Sequence, residues 1–301
     1  MAGCGDASVR RHQHPAGLPS RCRSADLLRF ASPHDASPSA ASAVTWRWIP
    51  PLTADGATQM ALDAWMLQQL ASGASGPMLR LYRWSRPTLS LGVHQRRLEP
   101  HWASLEAAGL LESVRRPSGG RAVLHAGELT YALVCRPAST RRIEAYGQAC
   151  RWLQEAFAGL GLPLRFGAAA AVEAHRRSSC FASAAAADLV EPSGAKRIGS
   201  AQLWRGPLLL QHGSLLLEPP APLWRQLFGE DPPPLSPLPC SDAELEQRLR
   251  TAAERHLCAG PLIEQPLSHG EWQAVQSGRG DYDSPLACIE RATAASAIPS
   301  G

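Results

Sequence analysis

Two adjoining strand-like runs, residues 196–202 and 208–217, restrict the fold of this chain more than any other feature of its sequence. Gly206 and Pro207 separate them, and a Gly-Pro pair is typical of a turn. The runs therefore predict a β-hairpin. A polar quartet, Gln-His-Gly-Ser at 211–214, interrupts the leucines of the second run. Because buried polar groups need hydrogen-bond partners, the quartet favours a binding site, with a histidine satisfied inside the core as the alternative.

Lys196 is the single lysine of a chain that has 30 lysines and arginines together. A guanidinium is a permanently charged planar fork, whereas an ammonium is a compact charge whose pKa can move. One ammonium in an arginine-rich chain favours a chemical role at this position, and chance survival of one lysine is the alternative. Gly199 in the same run supports the chemical role, because glycine inside a strand often marks close approach by a ligand or another backbone.

Cys180 differs from the other seven cysteines, none of which forms a C-x-x-C pair typical of a zinc or redox motif. It follows the polar, cationic run 175–179, and nearby cations lower the pKa of a thiol. A turn at 192–194 would bring Lys196 back beside it. The sequence therefore makes Cys180 a candidate nucleophile.

Composition and charge disfavour several classes of protein. The chain has 301 residues and a formal net charge of +4, without a dense basic block, which disfavours nucleic-acid binding. No run of about 18 apolar residues predicts a membrane-spanning helix, and the N-terminus lacks the apolar core of a secretory signal. We therefore expect a cytoplasmic protein with reduced thiols that binds neither membranes nor nucleic acids.

The chain divides into three parts by composition and periodicity. Residues 1–43 are rich in Ser, Ala, Pro and Arg and are predicted to be a disordered leader, with a transit peptide as the alternative. Residues 44–260 are predicted to form one folded domain, with a proline-rich loop at 219–239 and a C-terminal helix at 242–258. Residues 261–301 are expected to be an irregular tail.

Apolar periodicity gives the elements of the predicted domain. Helices are predicted over 58–70, 100–111 and 141–160, and strands over 44–49, 78–84, 88–93 and 129–134. Asp63 in the first helix is expected to be a solvated or capping acid. Cys135 and Cys150 are expected in the core, where a free thiol behaves as a small apolar residue.

A glycine pair, Gly119 and Gly120, lies between two predicted strands, preceded by Arg116 and followed by His125. The surrounding residues match neither a P-loop nor a dinucleotide fingerprint. Two adjacent glycines let backbone N–H groups turn toward a carbonyl or phosphate, while an ordinary hairpin turn is the alternative.

Taken together, six stretches in order resemble the lipoate/biotin protein ligase superfamily, and in particular its octanoyltransferase branch. The stretches are QMALDAWML (59–67), RPTLSLGVHQ (86–95), RRPSGGRAVLHAGELTYALV (115–134), SCF (179–181), KRIGSAQ (196–202) and LQHGSLLLE (210–218). By this resemblance, Arg121 occupies the position at which the ATP-using ligases have a third glycine. Cys180, which precedes Phe181, matches the cysteine nucleophile of the transferase branch. The alanine-rich run 182–187 and the leader depart from the family pattern.

The resemblance implies an α+β fold, with mixed and antiparallel sheets flanked by helices. It also implies transfer of an octanoyl group from acyl carrier protein to a lysine of a lipoyl-accepting protein, such as the glycine cleavage H protein or a 2-oxoacid dehydrogenase E2 domain. Cys180 would hold the octanoyl group as a thioester, and Lys196 would stabilise the thiolate and polarise the acyl carbonyl. No metal, nucleotide or other cofactor is expected.

The resemblance also implies a set of substrate-binding residues, in which the glycines supply backbone N–H donors. The set is Arg116, Ser118, Gly119, Gly120, Arg121, His125, Gly199, Ser200, His212 and Gly213. Two other functions remain open from the sequence. One is an ATP-dependent lipoate–protein ligase, and the other is a non-catalytic module that binds lipoyl domains or carrier proteins.

Overall fold

The computed structural model describes residues 44–167, 188–258 and 260–286. The predicted leader at 1–43 and the candidate nucleophile Cys180 lie outside the described residues.

The strands of the described residues fall into two sheets. They are β1 (Trp46–Ala54), β2 (Met78–Trp84), β3 (Thr88–Leu91), β4 (Glu112–Arg115), β5 (Val123–His125), β6 (Glu128–Cys135), β7 (Arg165–Phe166), β8 (Leu189–Val190), β9 (Lys196–Arg205), β10 (Leu208–Leu216) and β11 (Leu262–Glu264). The helices are α1 (Gly56–Ser72), α2 (Pro100–Ala107), α3 (Arg142–Ala158), α4 (Ala221–Phe228), α5 (Asp242–His256) and α6 (His269–Ser277), followed by a short 3₁₀ helix (Arg279–Tyr282).

The larger sheet has the strand order β11-β1-β2-β6-β10-β9-β8-β7, and the smaller has the order β4-β3-β5. Both are mixed, because β1 pairs in parallel with β2 and β11, and β3 pairs in parallel with β4, while the other pairs are antiparallel. The predicted α+β class is confirmed. The predicted hairpin is also present, since β9 and β10 pair in antiparallel fashion on either side of Gly206.

Helices cover both faces of the larger sheet. On one face, α3 and α5 bury Cys150, Leu153 and Leu249 against the sheet, and on the other face α1 buries Leu62 and Met66. Every residue of β10 is consequently buried. This explains how leucines can occupy both faces of that strand, a pattern typical of strands covered on both sides.

Helix α1 lies against the sheet, and a capping residue determines each of its ends. The Asp55 side chain accepts a hydrogen bond from the Thr58 backbone N–H at 2.8 Å, and Gly73 ends the helix with a left-handed φ of 75°. Both are common terminal signals, the first an N-cap and the second a C-cap. Between these two caps, α1 packs over β2, β6 and β10.

The prediction of a proline-rich loop at 219–239 is wrong for its first part, where α4 lies. Prolines are tolerated in the first turn of a helix, because the N–H groups there have no intrahelical partner. Trp224 and Leu227 of α4 are 1% exposed, and Gly229 ends the helix in the left-handed conformation. Burial of these two side chains stabilises a short helix inside a proline-rich stretch.

The prediction of an irregular tail from residue 261 is also wrong over the part described. Strand β11 extends the larger sheet next to β1, and α6 begins with a capping box between Ser268 and Glu271. The carboxylate of Glu271 also accepts hydrogen bonds from Arg47 at 2.7 and 2.9 Å. Pairing of β11 with β1 and of Glu271 with a distant arginine stabilises this segment, and neither partner is local in sequence.

Helix α3 follows its predicted face except at its start. Cys150, Leu153 and Phe157 are buried, whereas Ile143 is 89% exposed. Ile143 lies in the first turn of α3, where its side chain is left in solvent. The expected core positions of Cys135 and Cys150 are confirmed. None of the helices described is long and apolar enough to cross a bilayer.

Candidate active site

A cavity of about 280 Å³ opens on the face of the larger sheet that carries α1. Its walls come from α1, from strands β2, β3, β5, β6, β9 and β10, and from the glycine loop between β4 and β5. The volume is close to the lower end of the roughly 300–1,000 Å³ typical of small-molecule sites. A second cavity of about 630 Å³ begins near Val44 and Cys135, and it contains none of the predicted site residues.

The structure brings eight of the ten predicted substrate-binding residues to the first cavity. Those residues are Arg116, Gly119, Gly120, His125, Gly199, Ser200, His212 and Gly213. Segments from residues 116 to 125 and from 199 to 213 therefore meet around one space.

Ser118 and Arg121, the other two, do not line this cavity. The Ser118 hydroxyl is buried and lies 2.5 Å from His212 Nε2. The backbone carbonyl of Arg121 accepts a hydrogen bond from Arg116 Nη2 at 2.6 Å. In the arrangement described, both residues act on the shape of the glycine loop.

The Arg116 guanidinium holds the glycine loop from beneath. It donates to the carbonyl oxygens of Ser90, Gly119 and Arg121 at distances of 2.6 to 3.2 Å. A guanidinium presents five N–H donors in a rigid plane, and here they organise backbone carbonyls. Gly120 has a φ of 98°, a conformation that glycine adopts at little cost.

Close backbone contact fixes the other side of this loop. A Cβ at Gly92 would overlap the carbonyl oxygen of Gly120, far inside the 3.0 Å that real Cβ atoms keep. In addition, the Val93 N–H donates to the carbonyl of Ser118 at 2.9 Å. The loop between β4 and β5 is therefore seated on the residues that follow β3.

Asp63, His212 and Arg80 form a buried cluster that reaches the cavity at His212. Arg80 donates to Asp63 Oδ1 from Nε at 3.1 Å and from Nη2 at 2.5 Å, while His212 Nδ1 lies 2.8 Å from Asp63 Oδ2. Burial by itself raises the pKa of Asp63, but the charges and hydrogen bonds of Arg80 and His212 outweigh it and leave the pKa below its ordinary value. An ionised Asp63 thus orients the His212 ring.

The expectation that Asp63 would be solvated or capping is wrong. Its partners come from β2 and β10, and the His212 contact joins residues 149 positions apart. One signal of this cluster was present in the sequence, because Arg80 interrupts the otherwise apolar start of β2. A buried cation in a strand requires an anion on the element that covers it.

A second carboxylate–histidine pair lies in the wall of the same cavity. His125 Nδ1 lies 2.5 Å from Glu128 Oε1, and His125 Nε2 lies 2.7 Å from the hydroxyl oxygen of Ser90. The Trp84 indole stacks on the His125 ring with 4.0 Å between centroids. All three partners of His125 hold its ring in one orientation.

Nine lining residues were not in the predicted set, namely Met60, Tyr82, Trp84, Ser90, Val123, Thr130, Ala201, Gln202 and Ser214. All but Val123 belong to a helix or strand that was predicted. The alternation of β3 and β6 placed Ser90 and Thr130 on a polar side of their strands, but only the tertiary fold shows that these sides face one space.

Gly213 allows the side chains of Ser200 and Tyr131, on the two neighbouring strands, to lie close to the backbone of β10. A Cβ there would meet Ser200 Oγ at 2.5 Å and Tyr131 Cε1 at 2.5 Å, which leaves no room for a side chain. The Ser200 hydroxyl in turn lies 2.7 Å from the Tyr131 hydroxyl. Glycine at this position is a packing requirement of the hairpin.

Lys196 lies at the start of β9, with its Nζ 2.9 Å from Asp188 Oδ2. The turn at 192–194 is present, since the Gly194 N–H donates to the Glu191 carbonyl at 2.8 Å. Lys196 is 3% exposed and is not among the residues that line the cavity of about 280 Å³. Its predicted proximity to Cys180 involves a residue outside the described ranges and stays a prediction.

Three of the described thiols are poor candidates for a nucleophile. Burial raises the pKa of Cys135, Cys150 and Cys258 to about 12. Because the thiolate is the reactive form, these cysteines are inert at neutral pH. Within residues 44–167, 188–258 and 260–286, no group of three His, Cys, Asp or Glu side chains is placed to hold a metal ion.

Comparison with known sequences gives a consistent result. The family model for the lipoyl protein ligase A/B catalytic domain matches residues 55–229. The octanoyltransferases LipM of Carboxydothermus hydrogenoformans and Moorella thermoacetica are 38% and 36% identical to the chain, over 58% of its length. These alignments span 65% and 66% of the relatives' own length. LipM of Kyrpidia tusciae is 33% identical over 83% of this chain and 93% of the relative.

Solved structures with the same fold are more distant in sequence. Protein Ta0514 from T. acidophilum, solved with bound lipoic acid, has a TM-score of 0.63 at 17% identity, covering 77% of this chain and 94% of that one. A lipoate-protein ligase A bound with ATP has a TM-score of 0.64 at 17% identity, covering 78% and 94%. At such identities these structures support the fold alone.

Proposed function

This chain belongs to the lipoyl protein ligase A/B catalytic-domain family, and on that basis we propose that it is a protein octanoyltransferase of lipoate biosynthesis. It would move an octanoyl group from a thioester donor to a lysine of a lipoyl-accepting protein. The observation that carries the proposal is the similarity, at 33–38% identity, to proteins named as octanoyltransferases.

The cavity of about 280 Å³ supports an acyl substrate. Met60, Trp84 and Val123 give it apolar walls, and the backbones of Gly120 and Gly199 border it without side chains. An octanoyl chain has about seven CH₂ and CH₃ groups, so its full burial would contribute on the order of 5 kcal/mol. The apolar walls would hold the chain, and backbone N–H groups would approach its carbonyl.

The proposed reaction has two acyl-transfer steps. In the first, the Cys180 thiolate attacks the donor carbonyl, a new C–S bond forms at Cys180, and the donor thiol leaves. In the second, the acceptor lysine nitrogen attacks the same carbonyl, an amide forms, and the Cys180 thiolate leaves. Splitting the transfer in this way replaces one difficult step with two easier ones.

Lys196 would supply positive charge to both steps. Its ammonium is held by Asp188 at 2.9 Å in a buried setting, where a charge acts more strongly than it does in water. A fixed cation beside the reacting carbonyl stabilises the oxyanion that develops there. This role requires Cys180 to lie next to Lys196, as the sequence predicts.

The partners and conditions are further parts of the proposal. The donor would be octanoyl-acyl carrier protein, and the acceptor a glycine cleavage H protein or a 2-oxoacid dehydrogenase E2 domain, in the cytoplasm. No metal or nucleotide would be required, because the thioester donor already carries an activated acyl group.

A transfer assay with defined components tests the proposal. Purified chain is incubated with octanoyl-carrier protein and a lipoyl domain, with EDTA and without ATP. The mass of the lipoyl domain is then measured by mass spectrometry. We expect one octanoyl group on its target lysine, and none when that lysine is replaced by arginine. Transfer that instead requires ATP and free octanoate or lipoate would establish the ligase activity and contradict the proposal.

A further inference from the structure

Glu128, His125 and Ser90 form a hydrogen-bonded array that ends at the cavity. Glu128 lies on β6, His125 on β5 and Ser90 on β3, and the three are 5%, 6% and 1% exposed. The Glu128 carboxylate contacts His125 Nδ1, and His125 Nε2 contacts the Ser90 hydroxyl, at 2.5 and 2.7 Å. His125 and Ser90 both line the cavity.

The Trp84 indole N–H can only donate, and this property determines the hydrogen-bond directions at the Glu128 end of the array. The Trp84 indole N–H donates to Thr130 Oγ1 at 2.9 Å, so the Thr130 hydroxyl proton is directed to Glu128 Oε1, 2.6 Å away. Glu128 Oε1 is therefore an acceptor. His125 Nδ1, which contacts the same oxygen, must carry a proton and donate it.

The directions at the serine end follow in the same way. Arg116 can only donate, and its Nη1 lies 3.0 Å from the Ser90 hydroxyl oxygen. Ser90 thus accepts from Arg116, and its own proton is free to point to His125 Nε2. In the neutral imidazole with Nδ1 protonated, Nε2 is the basic nitrogen. The array therefore presents a base, through one hydroxyl, to the cavity.

We propose that this array accepts the proton of the attacking lysine in the second step of the reaction, an inference that rests on the proposed function. As the lysine nitrogen bonds to the acyl carbon, it gives a proton to Ser90 Oγ, and the Ser90 proton passes to His125 Nε2. The C–S bond breaks, and the electron pair leaves with the thiolate. The imidazolium that forms lies against the Glu128 carboxylate, and its proton returns to the thiolate or to solvent.

The Asp63–His212 pair does not have this arrangement. His212 Nε2 is occupied by the Ser118 hydroxyl, and Ser118 is not among the residues that line the cavity. Asp63, the carboxylate on His212, also pairs with the buried Arg80. The Asp63–His212 pair therefore orders the glycine loop, while the Ser90 end of the Glu128–His125 pair opens to the cavity.

The charged and titratable groups that face His125 in the described residues come from several elements. Glu128 faces it from β6, and Arg116, which follows β4, acts on it through Ser90. Tyr82 on β2 lies near Glu128, and its pKa is raised well above 10 by burial, so it is neutral. The ring of Trp84, also on β2, carries no charge.

Single-turnover transfer from the octanoyl-loaded enzyme, measured against pH, tests this inference. In the wild-type chain, we expect the rate of transfer to a lipoyl-domain lysine to rise with pH. His125→Gln should lower this rate by roughly 10²–10³-fold and change its dependence on pH. Glu128→Gln should lower the rate as well, because the imidazolium loses its carboxylate partner.

Hydroxylamine separates proton transfer from site geometry, since its adduct nitrogen is far more acidic than that of lysine and loses its proton to solvent. Release of the octanoyl group by hydroxylamine should fall much less than transfer to lysine in His125→Gln and Glu128→Gln. His101→Gln is the control, because His101 contacts the Leu227 carbonyl away from the cavity. Equal losses with lysine and hydroxylamine, or an unchanged pH profile, would overturn the inference. A wild-type chain that forms no octanoyl-enzyme would instead contradict the proposed function, and the inference would fall with it.

Discussion

The ammonium of Lys196 is paired with the carboxylate of Asp188 at 2.9 Å, and the two side chains are 3% and 6% exposed. Asp188 immediately precedes β8 and Lys196 begins β9, so a short hairpin holds the single lysine of the chain in a fixed place. A buried ion pair costs desolvation energy that its attraction only partly offsets. Retaining one here favours a chemical role for the cation.

Replacing Lys196 with arginine should abolish transfer although the charge is kept. A planar guanidinium needs more space than an ammonium, and the site is almost fully enclosed. We expect the rate of octanoyl transfer to fall by roughly 10²-fold or more, as when a single oxyanion donor is removed. Arg205→Lys, at the exposed end of the same strand, is the control and should keep the wild-type rate. Wild-type activity in Lys196→Arg would remove the argument for a specific ammonium.

Asp63→Asn should destabilise the fold strongly. Arg80 would remain buried without its anion, and breaking a buried pair in this way typically costs about 3–5 kcal/mol. Urea unfolding followed by circular dichroism should show a lower midpoint with an unchanged slope. Asp231→Asn, which breaks the exposed pair with Arg225, is the control and should leave the midpoint in place. Equal midpoints for the two variants would contradict a structural role for the Asp63 cluster.

Gly92→Ala should lower activity more than it lowers stability. The added methyl group would push against the backbone of Gly120 and displace the glycine loop. A displacement of about 1 Å at a reacting site can cost roughly 10²-fold in rate. Gly147→Ala in α3 is the matched control, because a Cβ there meets nothing within 4 Å. That variant should be more stable by about 0.5–1 kcal/mol and fully active.

The segment that contains α6 should loosen in acid because of Glu271. The hydrogen bonds from Arg47 are the main cause that lowers the pKa of Glu271 from 4.5 to about 2, against the opposing effect of burial. Because folding lowers this pKa, the ionised carboxylate stabilises the fold above pH 4.5, and that contribution is lost as the pH falls toward 2. Glu271→Gln should flatten the dependence of unfolding free energy on pH in this interval. Arg47→Gln should flatten it as well, and an unchanged slope in both variants would contradict the assignment.

Local signals in the sequence predicted much of the fold. The alternation of β2, the turn between β9 and β10 and the period of α3 are encoded by neighbouring residues. Helix α4 was missed because proline content suggested a loop, whereas burial of Trp224 and Leu227 decides its structure. The segment after residue 261 was missed because its pairing partners lie more than 200 positions away in the chain.

The parts of the candidate site that lie in sequence motifs were predictable, whereas the parts that depend on tertiary contacts were not. The glycine loop and the polar quartet of β10 were identified, and the structure brings them together around one cavity. The pairing of Asp63 with His212 depends on α1 crossing β10, and a single sequence does not show that crossing. Ser90 was hidden for the same reason, because its partner His125 lies on another strand.

Intact-mass measurement of the chain after incubation with octanoyl-carrier protein tests the central claim most directly. We predict a mass increase of one octanoyl group in the wild-type chain, removed by hydroxylamine and absent in Cys180→Ala. Cys150→Ala, which removes a buried thiol with a pKa of about 12, should still acquire the group. An unmodified wild-type chain that nevertheless transfers octanoyl, or a Cys180→Ala chain with full activity, would contradict a thioester on Cys180.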